Sequence, residues 1–434
     1  MTFAGIDIGS TNTKILAMNE HGDIVMMSSC PTPKLTIDGL LYFDLEKLNN
    51  LIDEMLTSSK ANAVAFSSVG ESVVPIKNGK AISNPIFWDQ RGASATLKER
   101  AILNENTSYS SLGIIPNGLL AIEKILWYNR QLPERPDFYL PICHYQVFRK
   151  TGAAFYDPSQ ASRSGAYNVF SKSWIDKLYD KLSIQPFAPI KPIGSYSSYN
   201  NKVTYAVGGH DHILGLYGVS KIFNNDEIIY DSMGTSSTIS LLTKFNSSLE
   251  GNNTYDSRGG GIVNGFENEE FIVFRGLNRY GSLLTYFMKT IGCDDIYQIN
   301  SKIKSKKEFN LAFDLEVGGN FTSANIPFGL CNITNLNIMA NECDLIMSIY
   351  HYLAKQSMLV YKNLLGFAQA KPLYVAGGLA IKNDILMNLK ANYLKHEIVP
   401  FKITEVSAFG ALCAAINGSG NESVFNDLAK LLAN

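Results

Sequence analysis

Short apolar runs separated by polar turns open the chain, in the pattern of a β-sheet built from hairpins. Apolar runs at residues 3–8, 15–18 and 24–27 predict three strands, and the glycine and hydroxyl residues at 9–13 predict the first turn. Asp44 then predicts a helix N-cap, because apolar residues recur at helical spacing from 45 to 56. A buried strand over 63–66 follows. Since strands alternate with a helix, we predict an α/β fold.

The middle of the chain carries helical patterns and then a strand that ends in glycines. Helical spacing predicts helices over residues 119–128 and 173–182. A strand is predicted over 203–207, directly before Gly208 and Gly209. Further along, the pattern predicts a long helix over 345–364, a strand over 372–376, and helices over 386–394 and 407–416.

The strand, turn and strand pattern of the N-terminus occurs a second time near residue 228. An apolar run at 228–231 leads into a Gly-Thr-Ser turn at 234–236 and a further apolar run at 239–242. One such pattern near the start of each half favours two related domains. We place them at residues 1–220 and 221–434, in keeping with ~100–200 residues per domain.

Composition excludes several classes of protein. Of the 434 residues, 46% are hydrophobic. The chain has 38 Lys and Arg residues and 39 Asp and Glu residues, which gives a net charge of −1. This balance argues against general binding to nucleic acid or to an anionic membrane, so we expect neither partner. With no apolar run of ~18 residues and no signal-peptide pattern, we expect a cytoplasmic protein. The six cysteines lack CxxC and zinc-finger spacing, which favours reduced, mostly buried thiols.

The turn after the first strand is a candidate phosphate site. The sequence has no GxxxxGK[ST], GxGxxG, HExxH or GxSxG motif. Consecutive backbone N–H groups and hydroxyls in a tight turn nevertheless form an anion-binding concavity. Thr11 and Lys14 would add a hydroxyl and a positive charge, and Asp7 is placed to hold Mg²⁺ through water. The alternative is an ordinary polar hairpin.

Asp211 is the candidate general base. It follows two glycines that allow a ligand to approach closely, and a carboxylate there can accept the proton of an attacking hydroxyl. A helix N-cap is the alternative role, and both can hold at once. His210 and His212 flank it, but no further ligand is near in the sequence, so packing or substrate contact is favoured over a metal site.

A second group of residues suits a sugar. Trp88 offers an aromatic face, and Asp89 beside it offers a polar group for hydroxyls. Glu71 follows Gly70 and would likewise direct a carboxylate toward hydroxyls. Surface turns are the alternative for both segments.

A third group suits a nucleotide. Gly234 and Thr235 form the second Gly-hydroxyl turn, and phosphoryl transfer favours donors on both sides of the phosphates. Gly377 and Gly378 follow a predicted buried strand, and Asn383 opens the next helix. This segment would admit an adenosine, and a simple turn is the alternative.

In order along the chain, these segments resemble the FGGY family of carbohydrate kinases, which includes xylulokinases, glycerol kinases and fuculokinases. The resemblance covers nearly the whole chain. It is carried by GIDIGSTNTK, SVGESVVP, FWDQRG, TGAAFYDPSQASRSGAYNV (151–169), GGHDHILGLYG, DSMGTSSTISL, LYVAGGLAIKNDILMNLKANYL and EVSAFGALCAA.

The resemblance implies two actin/Hsp70-type (ribonuclease H-like) ATPase domains with an interdomain cleft, the sugar mainly on the first domain and ATP on the second. It implies that Asp211 is the general base and that Asp7 helps to hold Mg²⁺. The last helix, EVSAFGALCAA, resembles the family's final nucleotide-domain helix. The remaining assignments are Thr11 and Lys14 near the transferred phosphoryl, Gly234 and Thr235 on the ATP phosphates, Gly377, Gly378 and Asn383 at the adenosine, and Glu71, Trp88, Asp89 and His210 at the sugar.

The expected activity is transfer of the γ-phosphate of ATP to a hydroxyl of a ketose or polyol, with ATP and Mg²⁺ as cofactors and a homodimer left open. The alternative is a non-catalytic ATP- or sugar-binding sensor, or an actin-like assembly protein. The chain is shorter than is usual in the family. Gly70 stands where glycerol kinases carry Arg, and the Met-His pair of xylulokinases is absent, so the sequence does not name the sugar.

Overall fold

The computed structural model describes residues 1–224, 227–234, 236–244, 249, 260–277, 280–306, 308–317, 330–367 and 371–433. The chain divides into two compact units. Unit 1 comprises Met1–Asn225, Ile262–Phe271 and Glu405–Asn434, and unit 2 comprises Asp226–Gly261 and Ile272–Thr404. The domain division at residues 220 and 221 stays a prediction, and the contacts group the C-terminal segment with unit 1.

The described strands and helices are numbered in chain order. The strands are β1 (Thr2–Ile8), β2 (Asn12–Asn19), β3 (Ile24–Pro31), β4 (Lys34–Ile37), β5 (Leu40–Phe43), β6 (Ala63–Ser68), β7 (Val73–Lys77), β8 (Lys80–Ala81), β9 (Phe138–Pro141), β10 (Tyr167–Asn168), β11 (Ser173–Trp174), β12 (Tyr196–Asn200), β13 (Val203–Ala206), β14 (Gly209–His210), β15 (Ile228–Met233), β16 (Ser237–Lys244), β17 (Gly260–Asn264), β18 (Glu270–Leu277), β19 (Asp314–Val317), β20 (Cys331–Thr334), β21 (Leu373–Ala376) and β22 (Ile398–Pro400). The helices are α1 (Leu45–Ser59), α2 (Leu97–Asn106), α3 (Tyr109–Leu112), α4 (Ala121–Gln131), α5 (Ile142–Thr151), α6 (Pro158–Ser162), α7 (Lys177–Leu182), α8 (Asp211–Phe223), α9 (Tyr280–Thr290), α10 (Ile296–Ser305), α11 (Glu342–Leu364), α12 (Gly378–Ile381), α13 (Asp384–Leu394), α14 (Val406–Gly418) and α15 (Val424–Ala433).

The main sheet of unit 1 brings three chain segments to one edge. Its strand order is β12-β13-β6-β1-β2-β3, with β14 paired to the end of β6. β1 and β2 form an antiparallel hairpin in which Asp7 lies opposite Lys14. β6 runs parallel to β1, and β14 runs parallel to β6. Because the carboxyl ends of parallel strands meet at one edge, the segments after Ile8, Ser68 and His210 all emerge there.

Helix α14 covers this sheet at unusually close range. It packs on β1, β6 and α8, and its small side chains allow the approach. A Cβ on Gly5 of β1 would overlap the carbonyl oxygen of Ala408, and one on Gly410 would overlap that of Leu214. The helix predicted over 407–416 is therefore confirmed. The resemblance assigned it to the nucleotide domain, whereas its contacts are with the sheet of unit 1.

The main sheet of unit 2 repeats the centre of the first one. Within unit 2 the strands β16, β15, β21 and β22 are neighbours in that order. β15 and β16 form an antiparallel hairpin, and β21 runs parallel to β15. This is the relation of β1, β2 and β6 in unit 1. The pattern that the sequence showed twice is therefore the same three-strand arrangement in both sheets.

One predicted helix is partly wrong. Residues 173–182 were predicted to be helical throughout, but β11 pairs with β10 and α7 begins only at Lys177. Trp174 of β11 explains the difference, because its ring stacks on Phe187 at 4.5 Å and meets the edge of Tyr156 at 5.2 Å. These contacts with distant residues outweigh the local helical spacing. The six cysteines are free and four of them are buried, as expected for mostly buried thiols; Cys30 is half-buried and Cys331 is exposed.

Candidate active site

The end of β1 places a buried carboxylate beside a positive charge. Asp7 is only 8% exposed, and among the described residues its Oδ1 has no hydrogen-bond partner. Burial and the nearby Asp211 raise the pKa of Asp7 to about 7, while Lys14 across the hairpin lowers it. Lys14 Nζ lies 2.5 Å from Glu405 Oε2. A buried oxygen atom without a partner is a position for a cation, which fits the expected Mg²⁺.

Glu405 was not among the predicted site residues. It stands at the N-cap position of α14, yet its side chain makes no cap hydrogen bond and pairs with Lys14 instead. It is the first residue of the EVSAFGALCAA segment, which the resemblance assigned to the nucleotide domain. A glutamate before a small-residue helix gave no signal of its own, because its partner is distant in the chain.

The polar turn after β1 is closed by its own backbone. Gly9 N–H donates to the carbonyl of Asn12 at 3.1 Å, and the carbonyl of Thr11 accepts from the N–H of Thr32 at 2.9 Å. The side chain of Thr11 is exposed. Ser10 Oγ accepts from Trp88 Nε1 at 3.1 Å, so the turn is joined directly to the aromatic residue predicted for the sugar.

Asp211 is the first residue of α8 and lies between two histidines. Its Oδ1 is 2.9 Å from His210 Nδ1 and accepts from the N–H of His212 at 2.7 Å. Burial alone would raise the pKa of Asp211, but His212 and His210 outweigh it and lower the pKa well below its usual value. The carboxylate is therefore ionised at neutral pH, while its neighbour Asp7 takes up the proton more readily.

The predicted sugar side contains a buried ion pair. Arg163 Nε donates to Glu71 Oε1 at 2.5 Å, and Glu71 is 5% exposed with a positive φ of 60°. A left-handed backbone is costly for a glutamate, and such strain is found mostly at functional sites. Gly70 leaves room for His210, because a Cβ there would lie 2.7 Å from His210 Cδ2. Arg163 was not among the predicted site residues, although it lies in the segment 151–169, because its partner Glu71 is 92 positions away in the chain.

These residues are brought together to different degrees. Asp7, Asp211, His210, Glu71 and Lys14 are linked within unit 1 by contact or by mutual effects on their pKa values. Trp88 is 37% exposed and joins through Ser10. Asp89 is exposed and accepts a hydrogen bond from the adjacent Gln90 at 2.9 Å.

In unit 2, a cavity of about 600 Å³ opens beside the second hairpin turn. Its lining residues are Gly234, Gly281, Ser282, Thr285, Tyr286, Lys289, Ile296, Gly378, Leu379 and Lys382. Thr235 lies outside the described residues. Gly234 and Gly378 therefore line one cavity, and lysines at two positions supply positive charge.

The neighbouring residues Gly377 and Asn383 have structural contacts of their own. Gly377 has a φ of 103°, and a Cβ on it would overlap the carbonyl oxygen of Met233. Asn383 is fully buried, and its Oδ1 accepts from the N–H of Leu386 at 3.0 Å as the cap of α13. It also accepts from Asn300 Nδ2 at 3.3 Å. Neither residue is in the cavity lining, although both lie next to residues that are.

A buried ion pair in unit 2 has no counterpart in the sequence analysis. Lys390 of α13 forms an ion pair with Asp231 of β15, and both side chains are fully buried. Ser237 Oγ donates to the other Asp231 oxygen at 2.5 Å. Lys390 Nζ also lies 5.6 Å from the ring centre of Tyr280. Residues 159 positions apart cannot be paired from sequence spacing.

Two α/β units, each centred on a hairpin and a parallel third strand, define the actin-like class of two-domain fold. Family models identify the chain within that class. The N-terminal domain model of the FGGY family of carbohydrate kinases matches residues 2–193, and the C-terminal domain model matches residues 229–418. The chain belongs to the FGGY family of carbohydrate kinases. The resemblance and the fold class predicted from the sequence are thereby confirmed.

Two relatives resemble the chain in sequence. It is 24% identical to the gluconokinase of Bacillus subtilis, in a match that covers 54% of this chain and 50% of that protein. The chain thus matches half the length of that relative. It is 22% identical to the xylulose kinase of Staphylococcus xylosus over 98% of this chain and 92% of that one.

Solved structures show the same fold. The glycerol kinase of Plasmodium falciparum with ADP superposes with a TM-score of 0.81 at 16% identity, over 99% of this chain and 92% of that chain. The xylulose kinase of Lactobacillus acidophilus superposes with a TM-score of 0.79 at 17% identity, over 98% of this chain and 91% of that chain. Of the described helices, none is both long and apolar enough to cross a bilayer.

Proposed function

We propose that this protein is an ATP-dependent carbohydrate kinase that transfers the γ-phosphoryl group of ATP to a hydroxyl of a ketose or polyol. One observation carries the proposal: Asp211 Oδ1 lies 2.9 Å from His210 Nδ1, at the same sheet edge as the buried carboxylate of Asp7, and the two flanking histidines lower the pKa of Asp211. Such a pair, one carboxylate ionised and one of raised pKa, divides two roles between two aspartates.

Asp211 would act as the general base. As the acceptor oxygen forms its bond to the γ-phosphorus and the bond to the ADP oxygen breaks, the hydroxyl proton passes to Asp211. A strongly ionised carboxylate is a weak base, but phosphoryl transfer passes through a loose transition state in which the hydroxyl is acidified late. Holding the oxygen in line therefore matters more than basicity.

Asp7 and Lys14 would face the transferred group. The unpartnered, buried Oδ1 of Asp7 fits a divalent cation. Mg²⁺ in proteins is usually bound by few protein ligands and keeps several waters. Bound there, Mg²⁺ would neutralise charge on the phosphates.

The sugar would contact the surface formed by Glu71, Arg163, His210 and Trp88. Glu71 and Arg163 present paired charges for hydroxyls, and Trp88 presents a ring for an apolar sugar face. The nucleotide would occupy the cavity of unit 2, where Gly234 and Gly378 allow close approach and Lys289 and Lys382 are positive. Gly70 does not indicate one acceptor, and the relatives are named for different substrates. Ketoses, polyols and sugar acids therefore all need to be tested as acceptors.

The direct test is ADP release by purified protein with ATP, Mg²⁺ and a panel of ketoses, polyols and aldonic acids. We expect one acceptor to stimulate ADP release, and Asp211→Asn to lower kcat about 100-fold to 10,000-fold with ATP binding retained. Lys202→Ala, at an exposed position of unit 1, is the matched control and should be unchanged. Near-normal turnover in Asp211→Asn would remove the assigned base.

The same panel separates the alternative functions. Tight binding of a sugar without ADP release by the unmodified protein would instead support a sensor. Sedimentation of the protein on addition of ATP would support an assembly protein of the actin type.

A further inference from the structure

The proposed chemistry leaves unused a buried polar cluster beside β14. It is formed by Asp157 and Ser159 at the start of α6 and by His144 of α5. All three side chains are at most 1% exposed. Buried polar groups are costly unless fully hydrogen-bonded, so such a cluster needs a purpose in the fold or in the site.

Asp157 is the centre of the cluster. Its Oδ2 accepts from the N–H and the hydroxyl of Ser159, the former at 2.7 Å, and its Oδ1 lies 3.0 Å from His144 Nε2. Burial lowers the pKa of His144 to about 3, so the imidazole is neutral and donates its Nε2–H to the carboxylate. Burial raises the pKa of Asp157 only to about 6, so the carboxylate remains mainly ionised at neutral pH.

Ser159 connects this cluster to the proposed base. Its Oγ donates to Asp157 and accepts from the backbone N–H of His210 at 2.9 Å. A hydroxyl that donates to a carboxylate becomes a better acceptor, because hydrogen bonds in a chain polarise one another. The peptide that carries His210 is therefore held one residue before Asp211.

The glycine before His210 allows this contact. A Cβ on Gly209 would lie 2.7 Å from Ser159 Oγ and 2.8 Å from Asp157 Oδ2, closer than side-chain atoms tolerate. β14 also pairs with β6 at Ser67 and Ser68. The strand is thus fixed by a sheet neighbour on one side and by the Asp157–Ser159 pair on another.

We infer that Asp157 and Ser159 are positioning residues for Asp211, acting through the backbone of His210. This inference rests on the proposed function, since it assigns them to the base of that reaction. The role requires geometry and no chemistry: neither residue needs to touch substrate. A displacement of the base by 1 Å is enough to cost about 100-fold in rate.

Ser159→Ala tests the inference, with Ser162→Ala as its matched control. Ser162 lies in the same short helix, is 1% exposed, and donates to the carbonyl of Pro158 at 2.7 Å without a bond to His210. Both variants lose one buried hydroxyl, so similar losses of thermal stability are expected. Ser159→Ala should lower kcat about 10-fold to 100-fold at unchanged KM for ATP, and Ser162→Ala should leave kcat unchanged.

A double variant distinguishes positioning from a general structural role. If Ser159 acts only through Asp211, adding Ser159→Ala to Asp211→Asn should lower kcat no further. Equal losses in the presence and absence of Asp211 would overturn the inference, as would equal kcat in Ser159→Ala and Ser162→Ala. Should Ser159→Ala fail to fold, Gly209→Ala displaces the same strand from the other side and should lower kcat in the same way.

A spectroscopic readout keeps this test independent of the proposed function. Burial lowers the pKa of His210, but Asp211 is the main group that raises it, and the net shift is upward. Glu71 also raises this pKa and Arg163 lowers it, each to a smaller degree. NMR titration of His210, assigned through His210→Gln, should show its pKa lowered in Ser159→Ala and unchanged in Ser162→Ala. An unchanged His210 in both variants would refute positioning even if no acceptor sugar is found; turnover retained in Asp211→Asn would refute only the proposed base.

Discussion

The hairpins that open the two main sheets have the same strand arrangement, but they differ in how the charge of their aspartates is compensated. Asp7 stands near the end of β1 and Asp231 near the end of β15, each followed by a glycine and hydroxyl residues. Asp7 is buried with one oxygen unpartnered among the described residues, and its pKa is raised by burial and by Asp211. Asp231 is buried too, but it is paired with Lys390 and accepts from Ser237.

On the proposed function, the difference separates a carboxylate that takes part in catalysis from one that stabilises the fold. Burying a charge is unfavourable unless a partner compensates it, and unit 2 supplies that partner from its own chain. Unit 1 leaves the charge partly uncompensated, with Lys14 engaged by Glu405. An arrangement that costs stability and persists at a site is best explained by a ligand that completes it. We therefore expect the first turn to take part in the proposed chemistry and the second to hold the shape of the proposed nucleotide cavity.

The largest effect expected from this comparison is on catalysis by Asp7→Asn. The substitution removes the charge proposed to hold Mg²⁺, and we expect kcat to fall on the order of 1000-fold, because metal assistance is worth several kcal/mol. The melting temperature should stay the same or rise, since a poorly compensated buried charge is lost. Steady-state kinetics and thermal unfolding, measured on the same preparation, check the fall in kcat and the melting temperature. A folded variant with normal kcat would show that Asp7 is not required.

The corresponding change in unit 2, Asp231→Asn, should act on stability first. It leaves the Lys390 ammonium buried without a counter-charge, which typically costs about 3–5 kcal/mol. Urea unfolding measures the loss. Combined with Lys390→Met, the change should be closer to wild type than either single substitution, because a buried pair can often be replaced by apolar groups. Equal stability of Asp231→Asn and Asp7→Asn would erase the distinction between the turns.

Stability should also depend on pH through Asp7. Its pKa is about 7 in the folded protein against 3.8 in a free chain, so the folded state binds more protons between these values. Folding stability contributed by this group is therefore highest at low pH and declines as the pH rises from about 4 to 7. Chemical unfolding without Mg²⁺ should show this decline in the wild type and a smaller one in Asp7→Asn. Parallel pH profiles for the two proteins would contradict the raised pKa.

Much of this architecture could be predicted from the sequence, because it depends on local patterns. The hairpin after residue 3, the helix capped by Asp44 and the repeat near residue 228 are all set by neighbouring residues. Their order along the chain also indicated the family. The helix predicted from residue 173 failed where Trp174 packs against Phe187, a contact that spacing does not reveal.

The site was predictable only where a residue lies beside a turn or beside glycines that mark it locally. Asp7, Asp211 and Gly234 are in such positions. Glu405, Arg163 and Lys390 belong to segments that carry the family resemblance, but nothing local marks them, because each is defined by a partner at least 92 positions away. Asn383 was placed at the adenosine by its position after the glycines, and that contact stays a prediction. Its Oδ1 caps α13.

The smallest effect we predict concerns the glycine that follows each parallel third strand, Gly70 after β6 and Gly377 after β21. A Cβ on Gly70 meets a side chain, that of His210, whereas one on Gly377 meets the backbone carbonyl of Met233 at a φ of 103°. Backbone cannot move aside as a side chain can, and a left-handed φ is strained for alanine. Gly377→Ala should therefore cost about 1–3 kcal/mol.

Gly378→Ala is the matched control for that change, since a Cβ on Gly378 has no atom within 4 Å in the described structure. Denaturant unfolding should separate the two variants, with Gly378→Ala near wild type. Because Met233 precedes Gly234, displacement of its carbonyl should also weaken ATP binding by Gly377→Ala, measurable by calorimetry. If Gly377→Ala and Gly378→Ala are equally stable, the second turn does not depend on the close approach of Gly377 to the Met233 carbonyl. The ion pair of Lys390 would then be left to hold that turn in place.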